Sequence, residues 1–367
     1  MLVIDVRKAM DAGIGTYIQQ IVPRVCEELR DIRCKLLISE DALGWVGELK
    51  KQRNPNIIFE KFDPPPFSIL EQIIYRRILI NSTAFWATSL SHPLFYSGRL
   101  IATVHDVAQL ALPRRMAGGC VTKMASRIFL NSILGYSREI IFVSQFSRSE
   151  FIHHVGNPKQ PTSVIHLGVD SKWFEKVSIR STIDCTPYFI SVSSIRPHKN
   201  FAFLLKAFLN VAASIPHNLI IAGDKRGLKS IEPELMKEVS KMGERIQFLG
   251  RISDADLKNC VANAEAMIFP SLYEGFGLPP VEAMAAGCPV ITSSSSAMKE
   301  VCGDAVMYFD PCELESLTVA LFTFSKMNAN SRGVMIQKGK SKASEYDWSV
   351  AAKSTANVIR QSLAGSR

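Results

Sequence analysis

The stretch AMIFPSLYEGFGLPPVEAMAAGCPVIT, residues 266–292, decides how this chain folds. A continuous apolar run, 266–271, reads as a strand buried on both faces. Gly275 and Gly277 then allow a tight loop with exposed backbone N–H groups. Pro279 or Pro280 suits the first position of a helix, with Glu282 in its first turn, and Gly287 closes it. A second short apolar run, 289–292, follows at once. Short continuous strands either side of a helix belong to parallel sheets covered on both faces.

The same alternation runs outward from this unit. Downstream lies a strand at 305–309. Upstream lie strands at 188–193, 218–223 and 246–250, preceded by seven more at 2–6, 34–39, 56–60, 84–88, 100–104, 139–144 and 163–167. Helical patterns separate most of them, among them 15–30, 67–80, 121–134 and 147–155. With 367 residues the chain is long enough for two domains. The polar stretch 168–187 is the natural boundary, so the expected domains are 1–170 and 171–348. A last helix, 349–362, packs either on its own domain or back on the first. The α/β class therefore rests on pattern alone.

Hydrophobic residues make up 47% and charged residues 21%, the balance of a globular protein with large cores. No run of 18 apolar residues is present, which excludes a spanning helix. The first residues run straight into a strand and lack a signal-peptide pattern, so a cytosolic location is expected. Eight cysteines are scattered without a CxxC pair, which argues against zinc and for buried thiols. Net charge is +9. Residues 1–168 hold 20 basic against 14 acidic side chains, so the excess sits mainly in the first half. A solvated surface explains it, as does an anionic membrane or a phosphorylated acceptor. No basic stripe interleaved with aromatics points to nucleic acid.

Ligands of open α/β sheets bind beyond the carboxyl ends of the strands, so the chemistry is sought there. The loop 271–278 joins backbone donors to the positive end of a helix, which is an anion site. Glu274 and Glu282 stand beside it and call for a ligand with hydroxyl donors as well as phosphates. A nucleotide sugar offers both. Taken singly, Glu282 need only complement the helix dipole. The second loop, Ser193-Ser-Ile-Arg-Pro-His-Lys-Asn200, places Arg196 and Lys199 where a departing diphosphate gains charge. The third, Asp11-Ala-Gly-Ile-Gly-Thr-Tyr17, lacks the last glycine of a dinucleotide loop, having Ile18 there. The fourth, Thr103-Val-His105-Asp106, ends a strand with a side chain able to donate a hydrogen bond to a sugar. Ser147 reads as a helix N-cap. Asp254-Ala-Asp256 reads as helix capping after Ser253, not as a metal motif. His153 and His154 diverge and make a poor chelate. Residues 67–80, which include Arg76 and Arg77, read first as an ordinary packed helix and second as a bilayer contact.

Glu274 and Glu282, eight apart within EGFGLPPVEAMAAGCPV, resemble the E-x7-E signature of retaining glycosyltransferase family 4. The resemblance extends over nearly the whole chain. It implies the GT-B fold, two Rossmann-like domains facing across a cleft. It also implies that Glu282 binds the nucleotide ribose, that Glu274 contacts the donor sugar, and that the backbone of Phe276, Gly277 and Leu278 cradles the diphosphate. Residues 193–200 are similar to the family's phosphate-binding loop, with Lys199 matching its lysine and Arg196 two residues beyond the position where some members carry arginine. Residues 11–17 resemble the loop that closes over the donor phosphate, which puts Gly13 and Gly15 on the donor and Tyr17 on the acceptor side. By the same resemblance His105 faces the donor sugar, Asp106 meets an acceptor hydroxyl, and Arg251 and Ile252 lie near the base. His105, Lys199 and Glu274 are the implied catalytic set, with no metal and no cofactor beyond the nucleotide sugar. Bacterial mannosyltransferases of surface-polysaccharide assembly are the members it looks most like. These imply GDP-mannose as the favoured donor, with UDP-glucose, UDP-galactose and dTDP-rhamnose as open alternatives, and a lipid-linked oligosaccharide as acceptor at the inner membrane face. A sugar-nucleotide epimerase of the same fold, and a non-catalytic nucleotide-sugar-binding partner, are the competing expectations.

Overall fold

The computed structural model describes residues 1–364 apart from 52–53, 114–115, 117–118, 178–185, 225–226 and 229–230. Residues 178–185 of the expected boundary stretch, Cys185 among them, lie outside the described residues. The chain divides into two compact units, Met1–Gly168 together with the residues from Asp347 onward, and Val169–Tyr346.

Among the described residues, the first unit holds strands β1 (Leu2–Asp5), β2 (Cys34–Ile38), β3 (Ile57–Lys61), β4 (Ala84–Ala87), β5 (Arg99–Val104), β6 (Ser137–Phe142) and β7 (Thr162–Val164). They form one parallel sheet in the order β3-β2-β1-β4-β5-β6-β7. Its helices are α1 (Gly13–Glu28), α2 (Leu43–Lys50), α3 (Ile69–Ile78), α4 (Ala108–Ala111), α5 (Gly119–Tyr136) and α6 (Gln145–His154). The second unit holds β8 (Tyr188–Val192), β9 (Asn218–Ala222), β10 (Ile246–Gly250), β11 (Ala266–Phe269), β12 (Val290–Ser293) and β13 (Met307–Phe309), parallel in the order β10-β9-β8-β11-β12-β13. Its helices are α7 (Phe201–Val211), α8 (Pro233–Lys241), α9 (Asp254–Ala262), α10 (Leu278–Ala286), α11 (Met298–Cys302), α12 (Leu314–Ser325) and α13 (Ala329–Ala343). The last helix, α14 (Trp348–Ala364), packs on α1 of the first unit.

Every strand read from the sequence is present, with ends shifted by up to two or three residues. The cause is visible in burial. β1, β4 and β11 are buried at every position, as strands covered on both faces must be. The edge strands β3 and β7 are only partly buried, and β3 ends in Glu60 and Lys61, charges that discourage pairing with another chain. Serines start several helices by accepting a hydrogen bond from a first-turn N–H. Ser68 serves α3 and Ser253 serves α9, which accounts for the acids at Asp254 and Asp256. In α6 the cap is Ser144, not Ser147 as expected. Ser147 supplies the N–H that Ser144 accepts at 2.9 Å.

Seven of the cysteines are described and all seven are free thiols, four of them buried. No helix among the described residues is long and apolar enough to cross a membrane. Each sheet reverses its strand order once, at β1/β4 and at β8/β11. The connections leave these neighbouring strands in opposite directions and open a crevice at their carboxyl ends.

Candidate active site

Two loops meet at the β8/β11 crevice. Residues 193–200 follow β8, and 270–277 follow β11. Gly223, at φ 145°, lets the end of β9 close on the first loop. A Cβ there would fall 1.9 Å from the Ser193 carbonyl. Pro197–Lys199 form a 3-10 turn, and Asn200 takes the left-handed conformation at φ 58°. Its side-chain amide donates to the Pro311 carbonyl at 3.2 Å. Leu272 N–H donates to the His198 carbonyl at 2.8 Å and ties the two loops together. Across that tie the Lys199 ammonium meets the Glu274 carboxylate at 2.5 Å, both side chains largely shielded from solvent.

Behind Glu274 the loop is braced from β12. The Ser293 and Ser295 hydroxyls donate to the Ser271 carbonyl at 2.6 and 3.1 Å. Gly277 at φ 93° is the residue before α10, and no side chain caps that helix. Leu278 opens the helix and Pro279 is its second residue, a correction to the expected start. Neither Pro279 nor Pro280 has an N–H, so the donors at this helix start narrow to the backbone of Gly277 and Leu278. Gly287 ends the helix at φ 79° as expected.

Glu282 is the fifth residue of α10 and lies beyond its first turn, so the helix dipole does not explain it. It is only partly exposed. Burial pushes its carboxyl up to about 7, opposed by the charge of Lys172 and by a hydrogen bond from Trp173. Trp173 sits in the 3-10 turn Ser171–Phe174, almost fully buried against α10. No sequence signal marked this tryptophan, which stands more than a hundred residues from Glu282. Arg196 is exposed and pairs with none of the described residues. Arg251 is exposed after β10, two strands away from β8.

The first-unit residues gather at the ends of β1 and β5. Gly15 is buried inside α1, and a Cβ on it would lie 2.6 Å from the Ala9 carbonyl. Its glycine is thus required by packing within the unit. Gly13 is exposed with open space about it. Tyr17, expected to face an acceptor, is instead 3% exposed. Its hydroxyl bonds to Thr103 at 3.2 Å and its ring stands edge-on to His105 at 4.7 Å. His105 donates from Nε2 to the Thr88 carbonyl at 2.9 Å, and burial lowers its pKa. The ring is therefore neutral at pH 7, and Nδ1 is left as an acceptor, not as the donor anticipated for a sugar hydroxyl. Ser147 fixes the backbone here by donating to the His105 carbonyl at 2.6 Å. Asp106 accepts from the Ala108 N–H at 2.9 Å and steadies the start of α4.

A buried cluster that the sequence reading missed lies at the same end of β1. Arg7 pairs with Asp5 at 2.6 Å and Glu71 at 2.5 Å, and donates to the Tyr75 hydroxyl. Among the described residues no group of three His, Cys, Asp or Glu could hold a metal ion.

Residues 175–342, which contain the whole array at β8/β11, match the family model described as glycosyl transferases group 1. The chain is 28% identical over 278 residues to O-antigen chain mannosyltransferase B of Escherichia coli, covering 71% of this chain and 70% of that one. The chain is a GT-B glycosyltransferase. A second relative of this glycosyltransferase is O-antigen chain mannosyltransferase RfbU of Salmonella typhimurium, 26% identical over 219 residues, or 60% of this chain and 59% of its own. Among solved structures, sucrose-phosphate synthase from Thermosynechococcus elongatus superposes with a TM-score of 0.78 at 16% identity over 100% of this chain and 99% of that one. Anabaena HepE in complex with UDP superposes at 0.76 and 19% identity over 98% and 99%. At such identities the two structures establish the fold of the glycosyltransferase alone.

Proposed function

We propose that this glycosyltransferase moves a hexose, with retention of anomeric configuration and without a metal ion, from a nucleotide diphosphate to a lipid-linked or oligosaccharide acceptor. The preferred donor is GDP-mannose, and the preferred setting is surface-polysaccharide (O-antigen or exopolysaccharide) assembly at the inner face of the membrane. The observation that carries the reading is the Lys199–Glu274 pair set against the glycine-lined start of α10 at the strand-order reversal. The mannosyltransferase names of the two relatives support the sugar.

The roles follow from the chemistry. An incoming diphosphate takes the Lys199 ammonium and the N–H groups of Gly277 and Leu278, which frees Glu274 to accept from sugar hydroxyls. Glu282 accepts from the ribose diol. The bond from the anomeric carbon to the β-phosphate oxygen breaks while a bond to the acceptor oxygen forms on the same face. The acceptor proton passes to that phosphate group. Charge grows on the diphosphate as this happens, so the placed cation lowers the barrier more than it tightens the ground state. Nδ1 of His105 accepts from a hydroxyl of the sugar or acceptor.

A thermal-shift screen of nucleotide sugars tests the donor. GDP-mannose should raise the melting temperature most. A UDP-hexose is the second reading, motivated by the neighbours solved with UDP and UDP-glucose. It takes the first place if it gives the larger shift. An inverted product by NMR sinks the retaining mechanism.

A further inference from the structure

Helix α3 turns apolar side chains both inward, where Ile74, Ile78 and Leu79 pack on the core, and outward. Glu71 and Tyr75 on one face are 0% and 1% exposed, while Ile69 and Ile73 on the other are 81% and 51% exposed. Folding alone would bury isoleucine and expose glutamate. The Arg7 cluster accounts for the buried Glu71, but nothing within the unit accounts for the isoleucines. They belong to a larger pattern. Of the nineteen large hydrophobic side chains exposed among the described residues, ten lie between Phe67 and Tyr136. They include Val121, Met124 and Ile128 on one face of α5, and Phe67 at the α3 entry packs on Phe129 of the same helix, ring centroids 4.8 Å apart. The sequence from 64 to 138 also holds eight Lys or Arg against only Glu71 and Asp106, so the charge excess of the first half is concentrated there.

Beside α3 lies a pocket of about 860 Å³, at the amino ends of β4, β5 and β6. Within this unit it lies at the opposite end of the sheet from His105, which follows the carboxyl end of β5. Arg76, Arg99 and Arg138 line it, and none of its described lining residues is a carboxylate. The walls are built. Gln72 clamps the loop carrying Phe95 by donating to the His92 carbonyl at 3.1 Å and accepting from the Leu94 N–H at 2.8 Å. The Tyr96 hydroxyl bonds to Ser82 at 2.9 Å, and its ring fills the place where a side chain on Gly98 would stand. Arg99 is held by its own bond to the Leu363 carbonyl at 2.5 Å. Ile80 and Phe95 form an exposed apolar rim, 75% and 78% accessible.

We propose that this pocket and the apolar faces of α3 and α5 form the surface on which the enzyme docks to an anionic lipid bilayer. A lipid phosphate sits among the three guanidinium groups, and Ile69, Ile73, Ile80 and Phe95 enter the acyl boundary. Cations beside exposed apolar side chains fit this occupant, because the interface supplies both a phosphate layer and an apolar layer. The inference deepens the membrane contact proposed above and does not depend on which sugar is transferred.

Flotation of the full chain with phosphatidylcholine vesicles, with and without phosphatidylglycerol, tests it. The protein should float with phosphatidylglycerol and be released by salt. Each basic residue near such a surface is worth about fivefold in partition, so Arg76→Ser with Arg77→Ser should weaken binding about 25-fold. Ile69→Ser with Ile73→Ser should abolish the binding that survives at high salt. Arg138→Gln should erode the preference for phosphatidylglycerol. All these positions face solvent, so melting temperatures and the donor-induced thermal shift should stay at wild-type values. That keeps a failure of docking distinct from a failure of the transferase reading. The proposal is overturned if the wild type stays in solution with both vesicles, or if the variants float as it does. Binding of inorganic phosphate in the pocket without vesicle binding would make it a site for a soluble anion instead.

Discussion

Glu282 titrates where a cell operates, and that makes its role measurable. Burial holds its carboxyl at about 7, above the ordinary 4.5. Between those values the folded chain binds more protons at this site than the unfolded chain does. The contribution to stability is therefore complete below about 4.5 and lost as pH rises through about 7. Glu282→Gln should flatten that slope in denaturation curves taken across the window. If the ionised carboxylate is the ribose acceptor, wild-type donor affinity should rise with pH through 7, and in Glu282→Gln it should be weaker and flat, as calorimetric titration would read. Lys199 belongs to the same scale. Lys199→Ala should cut turnover of bound donor by about 10²–10³-fold, the usual cost of removing one preorganised charge stabiliser, with a smaller change in KM. Equal losses in both variants, confined to KM, would leave Lys199 as a binding residue only.

Elements carry a different kind of information. Helix α3 is pinned to β1 by Arg7, which accepts burial because Asp5 and Glu71 flank it and hold its pKa above the ordinary value despite desolvation. Its guanidinium also donates to the Pro64 carbonyl at 3.0 Å and lies over the Phe62 ring. Arg7→Met would leave two carboxylates facing each other out of water, so it should cost about 3–5 kcal/mol in urea unfolding. Restoring balance with Glu71→Gln in the same chain should recover part of that loss. A variant as stable as wild type would show that the cluster is solvated in solution. The helix is thus held by the Arg7–Glu71 pair together with the packing of Ile74, Ile78 and Leu79, which leaves Ile69 and Ile73 outward.

For the whole molecule, the division into two units makes a prediction about heat. The residues assigned to the donor lie mostly in Val169–Tyr346, so a nucleotide sugar should raise the melting of that unit first. At a hundred times its Kd a ligand adds about 2.7 kcal/mol. For a unit of this size that is a shift of roughly 5–10 °C. Scanning calorimetry would show a single rising transition if the units melt as one, and a split endotherm if they do not. A shift confined to the first unit would move the donor site away from β8/β11.

The two-unit α/β architecture was legible because a short strand buried on both faces is a continuous apolar run, and such runs have few other readings once helices separate them. The loop after β11 was legible for a related reason. Glycine and proline at fixed spacing record a backbone path in the local sequence, which α10 follows between Gly277 and Gly287. Other features were decided only in three dimensions. Ser144 and Ser147 are both good caps by composition, and the path of the chain out of β6 selected the first. Tyr17 had a loop neighbour's address but a core residue's surroundings. Trp173 reaches Glu282 across a long interval of sequence, and no local pattern encodes a partner at that distance. In α3, periodicity showed which residues share a face and was silent on which face turns inward. Arg7 settled that, because a buried cation needs Glu71 beside it more than the core needs Ile69 and Ile73.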